Sequence, residues 1–280
     1  MWFVAGILIV LLTLVRTLPW IYREIPVSSD NSWDVALNLF VQRGSLAGQD
    51  YVFTFGPLGF LYNKTFFPAT FNLKILLQAV FCIATTTVMI LQGKKLFANP
   101  FLTVLWIYCL VSLYGFFGDV FFLAAPVLLA NQYFFLDDRD GKKRASFETM
   151  LLVCLLALSA EVKFTFFVAG VWLMAFITLD QVLIKRARPT LLLVFTAVFV
   201  LAWLLAGQPL VNLPTYLATS LVVASGHSEA MSYSETNWQW PICATIISTG
   251  LLLLCFAQLA FKRLGKAFPI AVLAESGVFF

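Results

Sequence analysis

Long apolar runs separated by short polar breaks dominate the chain. A helix needs about 20 apolar residues to cross a bilayer, because the hydrocarbon core is ~30 Å thick and a helix rises ~1.5 Å per residue. Such runs fall near 2–19, 73–92, 100–117, 119–136, 149–160, 164–184, 190–207 and 241–261. They predict an all-α, polytopic transmembrane protein of eight spans forming one domain over residues 1–280. The run 149–160 is too short to cross alone, so it is tilted, extended by its neighbours, or part of a broken helix. Residues 267–280 read as the start of a ninth span. The first run has no basic residue before it, Arg16 near its end, and large residues where a cleavage site would need small ones. It therefore reads as a retained helix rather than a signal peptide.

The polar breaks carry charge of one sign on one side. Lys94 and Lys95 follow the second run, and Arg139, Lys142, Lys143 and Arg144 follow the fourth. Lys185, Arg186 and Arg188 follow the sixth, and Lys262, Arg263 and Lys266 the eighth. These twelve make up most of the 18 basic residues, and the segment 208–240 has none. Basic residues favour the cytoplasmic side, which puts the N-terminus inside and the long loops 20–72 and 208–240 outside. Helix connections usually run to about two to eight residues, so a loop as long as 20–72 is expected to have a function. Within it Trp33, Ala36, Leu37, Phe40 and Val41 recur at helical spacing. That stripe predicts a helix over 31–43 lying on the membrane surface, with Ser28, Ser29, Asp30 and Asn31 as candidate caps.

Composition narrows the function. Of the 280 residues 61% are hydrophobic and 11% charged, with a mean hydropathy of +0.91. A soluble domain has about a quarter charged residues, so a soluble enzyme, a disordered chain and a secreted disulfide scaffold are excluded. The net charge of +4 comes without a long basic cluster, so nucleic acid is not a partner. The five cysteines lie singly in apolar runs and the one histidine excludes a His-cluster zinc site. Phosphate loops, dinucleotide fingerprints, zincin motifs and nucleophile elbows are absent from the sequence.

The acids are sorted as well. Glu24, Asp30, Asp34, Asp50, Glu229 and Glu235 fall in the outer loops, and Asp119 sits at the outer junction of the third and fourth runs. Carboxylates gathered at a water–lipid boundary are candidates for base catalysis or cation binding. Asp30, next to the surface helix, reads either as its cap or as a general base for an acceptor hydroxyl, and the two roles are compatible. Asp34 lies one helical turn on and shares its face. His227 and Glu229 lie in a polar stretch, Ser225–Glu235, that reads as flexible and able to close over a substrate, although an exposed loop histidine is equally ordinary. Glu229 and Glu235 with the first-loop acids are candidate ligands for a divalent cation, Mg or Mn.

The stretch from Asp30 to Tyr62, DNSWDVALNLFVQRGSLAGQDYVFTFGPLGFLY, resembles the first outer loop of the C superfamily of membrane glycosyltransferases. That group includes the protein O-mannosyltransferase-like and aminoarabinose-transferase-like enzymes. The shared pattern is Asp30, the helix 31–43, Gly44 and Gly48, Asp50-Tyr51, and Phe55-Gly56-Pro57-Leu58 entering the next helix. The likeness covers roughly residues 1–185. It implies that Asp30 is the catalytic base, that Asp119 is a second acid at its outer junction, and that Lys163 lies near the donor phosphate. Members are usually longer, and Asp30 is followed here by Asn31 rather than a second acid.

The implied chemistry is transfer of a sugar from a polyprenyl-phosphate donor to an acceptor outside a bacterial inner membrane, with inversion. Such a donor needs an apolar groove for its tail and cations for its phosphate, and Lys163, Arg23 and Arg43 are available. For Lys163 a salt bridge to Glu161 or snorkelling at a helix end is the plain alternative, and for the arginines contact with lipid head groups. Two rival readings remain: a non-catalytic scaffold working with a membrane protein partner, and a transporter, to which Glu161, Lys163 and Asp180 near the spans would belong.

Overall fold

The computed structural model describes residues 2–18, 32–63, 65–97, 101, 103, 104, 107, 118–137 and 146–231. Among them helix is the regular structure, with only isolated bridges of extended chain in the connections. The helices are α1 (Trp2–Thr17), α2 (Ser32–Arg43), α3 (Pro68–Leu96), α4 (Asp119–Asn131), α5 (Phe147–Ala160), α6 (Phe164–Leu179), α7 (Thr190–Leu205) and α8 (Leu213–Met231). Short 3-10 turns at Gly59–Tyr62 and Leu210–Asn212 precede α3 and α8, and π-turns at Gln132–Asp137 and Asp180–Ile184 extend α4 and α6. Pro57-Leu58 thus enters a 3-10 turn, and α3 begins only at Pro68, which occupies its first turn.

Two of these helical stretches, Pro68–Leu96 and Phe164–Ile184, are long and apolar enough to cross a membrane. Thr190–Leu205 and Leu210–Gly226 pass the same test together but meet at 110°. Gly6–Thr17, Asp119–Phe134 and Phe147–Ala160 are apolar and shorter. Most of the run 100–117, and the runs 241–261 and 267–280, lie outside the described residues.

The short run at 149–160 is a short helix. At ~1.5 Å per residue, the 14 residues of α5 span about 21 Å, well under a bilayer core. Ser146 caps its start by accepting from the Thr149 amide, and Glu161 ends it. α5 packs against α3, α4, α6 and α7 at the centre of the bundle. Its shortness leaves a recess at one end, which the first long loop fills with Phe55, Phe60 and Leu61. At the opposite end Lys95 of α3 pairs with Glu148 of α5 at 3.0 Å.

The stripe on α2 faces protein rather than lipid. Trp33 stacks on Phe55 at 5.2 Å and Phe40 on Tyr51 at 4.2 Å, while Leu37 is buried in the core. The spacing correctly marked an apolar face, but periodicity does not say what covers it. The segment beyond 208 also departs from expectation. It is helical as far as Met231, into the polar stretch 225–235, whose residues after 231 lie outside the described residues.

Two helix ends are pinned to each other. α2 stops at Gly44 (φ 63°), with the Gly44 amide bonded to the Val41 carbonyl and the Ser45 amide to that of Phe40. α7 stops the same way at Gly207 (φ 77°), onto Leu204 and Trp203. Both are Schellman motifs, which glycine permits because it adopts positive φ without strain. The Gln208 amide then clamps the first loop: its Nε2 donates to the Ser45 carbonyl and its Oε1 accepts from the Ala47 amide. Gly48 (φ 80°) lies so close to α8 that an added Cβ would sit 2.5 Å from the Tyr216 nitrogen. Gly48→Ala should therefore cost clearly more than the ~1–2 kcal/mol of the left-handed conformation alone, and Gly44→Ala, which meets nothing, about that amount. Thermal unfolding in mild detergent should rank Gly48→Ala well below Gly44→Ala, and equal losses would contradict the packing.

Candidate functional site

The first loop is bonded into the bundle by its main chain. Phe164 N donates to the Thr54 carbonyl at 2.7 Å, Gly56 N to Val162 at 3.2 Å, and Leu58 N to Glu161 at 3.0 Å. Gly56 is required at this contact, since a Cβ there would lie 2.4 Å from the Glu161 carbonyl oxygen. The bonds hold Phe55 opposite Lys163.

Lys163 is the focus of the loop end. Its ammonium pairs with Asp119 of α4 at 2.8 Å. It also sits 5.0 Å from the Tyr62 ring centroid, 5.5 Å from Phe55 and 5.8 Å from Phe166, within cation–π range. Of the two partners, Asp119 is half exposed and Lys163 mostly covered, at 50% and 20% of their side chains. The salt bridge to Glu161 considered from sequence is replaced by the one to Asp119, which α4 brings from 44 residues away. The Tyr62 hydroxyl is raised out of its ordinary range by burial and by the charge of Asp119.

A second polar group lies under α2. Asp34 accepts from the Thr65 hydroxyl at 3.3 Å, and its carbonyl accepts from Asn38 and Asn63. Burial pushes the Asp34 carboxyl up, against the pull of Thr65 and Lys74. Lys74 is fully buried and donates to Asn63 Oδ1 at 2.8 Å and to the Thr65 carbonyl at 3.0 Å. Thr70 donates to Asn38 Oδ1 at 2.6 Å. These contacts tie α2, the loop and the first turns of α3 into one unit.

Beside it is an apolar groove of about 400 Å³. Leu37 and Phe40 of α2, Leu73 and Leu77 of α3, and Leu201 and Leu205 of α7 form its walls. Tyr51, Gln208 and the Gly56–Leu58 segment complete it, and no charged side chain is among its described lining residues. The loop that carries Phe55 to Lys163 thus borders the groove through its next three residues.

Glu161 lies next to this segment with 1% of its surface exposed, and neither carboxylate oxygen has a hydrogen-bond partner. The buried Tyr216 hydroxyl has none either. It lies 3.0 Å from where a Gly56 Cβ would be. Burial pushes the Glu161 carboxyl up to about 9.

The sequence candidates divide as follows. Asp119 and Lys163 are brought together, and Asp34 lies in the adjacent network. Asp50 accepts from the Leu46 amide at 2.7 Å, closing its own turn. Arg43 is exposed in the last turn of α2. His227 and Glu229 lie on the last turns of α8, and their side chains are outside the described residues. Asp30, Arg23 and Glu235 lie outside them altogether. Among the described residues no three His, Cys, Asp or Glu side chains converge to hold a metal ion. Lys74, Tyr62 and Tyr216 were not foreseen, and Tyr51 was noted only as part of the loop pattern. Lys74 had a usable signal, a lone charge just inside an apolar run. No family model matches the chain, and no curated protein or solved structure matches it.

The raised carboxyl fixes a pH dependence. In the unfolded chain Glu161 ionises above about 4.5, whereas the folded protein keeps the proton up to about 9. Within that window the unfolded state binds fewer protons, so stability falls as pH rises. The melting temperature should decline from pH ~5 to pH ~9, and Glu161→Gln should flatten the decline and raise the value at neutral pH. An unchanged slope in that variant would show that Glu161 is not the group responsible.

Proposed function

We propose that the chain is a bacterial inner-membrane glycosyltransferase that moves a sugar from a polyprenyl phosphate to an acceptor on the outer face. In this reading all eight apolar runs cross or enter the bilayer, the basic helix ends are cytoplasmic, and the loop end faces out. The observation that carries it is the meeting, across the single segment Phe55–Leu58, of an apolar groove and a caged lysine. A groove walled by leucines suits an isoprenoid tail. A lysine held by rings and one carboxylate is a positioned cation for a phosphate. Phosphate binding would draw Lys163 from Asp119, which is exposed enough to be solvated on release.

The reaction asks for one proton transfer. The acceptor oxygen attacks the anomeric carbon from the face opposite the phosphate, the bond from that carbon to the phosphate oxygen breaks, and the lipid phosphate leaves with the electron pair. The acceptor proton passes to Asp30. Asp34 and Arg43 flank the approach from α2, Asp50 fixes the turn behind it, and His227 and Glu229 on α8 lie on the same outer side. A divalent cation, Mg or Mn, would have to be held by acids of the outer loops, since among the described residues no three such side chains converge. A second reading, a non-catalytic scaffold bound to a membrane protein partner, is favoured by one observation: Asp34, Asp50 and Lys163 all have internal partners.

Transfer assays and native mass spectrometry in mild detergent separate the two. Asp30→Asn should lower transfer by about 10²–10⁴-fold while lipid phosphate is still retained. Lys163→Gln should reduce retention by about tenfold, the loss of one charge-assisted contact. Full transfer by Asp30→Asn would remove it as the base. A stoichiometric second protein, with no lipid phosphate retained, would establish the scaffold reading.

A further inference from the structure

The carboxyl of Glu161 lies two residues from the lysine assigned to the phosphate, in the same turn, and the transfer step does not use it. Both of its oxygens are buried without a hydrogen-bond partner. The elements packed around that turn offer it hydroxyls rather than cations: Tyr51 from the first loop and Tyr216 from α8. The described charges of the neighbourhood are already committed. Lys163 is paired with Asp119, and Lys74 is bonded to Asn63 and Thr65 below Asp34. α7 and the described side chains of α8 contribute no charge. A buried carboxylate without a cation is costly, and the group responds by holding its proton.

We propose that Glu161 is a proton-linked positioning residue for the donor: its carboxyl must be neutral for an anionic head group to settle at Lys163. The proposal rests on the polyprenyl-phosphate reading of the site. An ionised Glu161 would add a buried negative charge two residues from the lysine that receives the phosphate. It would also demand solvation between α8 and the loop segment whose residues Gly56–Leu58 border the groove. Linkage makes the effect reciprocal: if protonation favours the donor, the donor raises the affinity of Glu161 for its proton. Donor binding then takes up a proton on the alkaline side.

The test uses the full chain in mild detergent, with farnesyl phosphate as probe and farnesol as its uncharged control. Affinities are titrated from about pH 7.5 upward, where a phosphate monoester of second pKa about 6 is already fully ionised. The unmodified protein should lose phosphate affinity above pH about 9, approaching tenfold per pH unit, with farnesol unaffected. Glu161→Gln should bind the phosphate as well at neutral pH and show no such loss. Lys163→Arg, whose guanidinium stays charged throughout, should keep the loss and so exclude titration of the lysine. Calorimetry of the unmodified protein in two buffers of different ionisation enthalpy, at pH about 9, should show proton uptake on binding, and this reading needs no variant to fold. Binding without a pH dependence, or with one that Glu161→Gln retains, overturns this proposal alone. Absence of farnesyl phosphate binding at every pH overturns the donor reading and this proposal together.

Discussion

Three main-chain hydrogen bonds join Thr54, Gly56 and Leu58 to the turn that follows α5, and the loop end is built on that join. α5 stops at Ala160 and is closed locally by the Glu161 and Val162 amides on the Leu158 and Ser159 carbonyls, which leaves the Glu161 and Val162 carbonyls and the Phe164 amide to be met from outside. The first loop supplies those partners. In doing so it brings Phe55 under the Lys163 ammonium, sets Gly56–Leu58 along the groove and closes the polypeptide over Glu161. A bilayer would strengthen this arrangement, because unsatisfied backbone groups cost most where water is excluded.

A second set of contacts prevents the loop from lifting away. The Schellman ends of α2 and α7 face each other through Gln208, Asn212 donates to Gln49, and Ser220 donates to the Phe53 carbonyl. α2 is held from the other side by the Asp34, Asn63, Thr65 and Lys74 network. The segments before α3 and after α7, far apart in sequence, therefore form one surface. The charged chemistry on that surface is concentrated at Lys163 and Asp119, and the apolar volume next to it is bounded by the same loop.

Much of this was legible in the chain, and the failures have physical causes. Apolar runs marked helices because a helix in an apolar solvent must satisfy its own backbone, and α2 was visible in the spacing from Trp33 to Val41. The covering of α2 was not legible, since an amphipathic stripe packs as well on protein as on lipid. The shortness of the run 149–160 was legible as an anomaly, and the structure turns it into the recess that receives the loop. Asp119 and Lys163 were each singled out, but their pairing depends on the packing of α4 against α6. Glu161 was visible as a neighbour of Lys163 and as a charge near the spans. Its isolation arises from tertiary burial between a loop and α8, which no local pattern records. Tyr216 was hidden among 29 Phe, 8 Trp and 8 Tyr in a chain where aromatics are ordinary lipid-facing residues.

Hydrogen exchange of the protein in mild detergent tests the dependence on the loop join most directly. If the first loop is a fixed part of the bundle, the amides of Gly56, Leu58 and Phe164 exchange as slowly as those at the centre of α5, because each is hydrogen-bonded across the join. Exchange of Gly56 and Leu58 at the rate of a free loop, with α5 still protected, would contradict the join and with it the groove and the placement of Phe55 against Lys163.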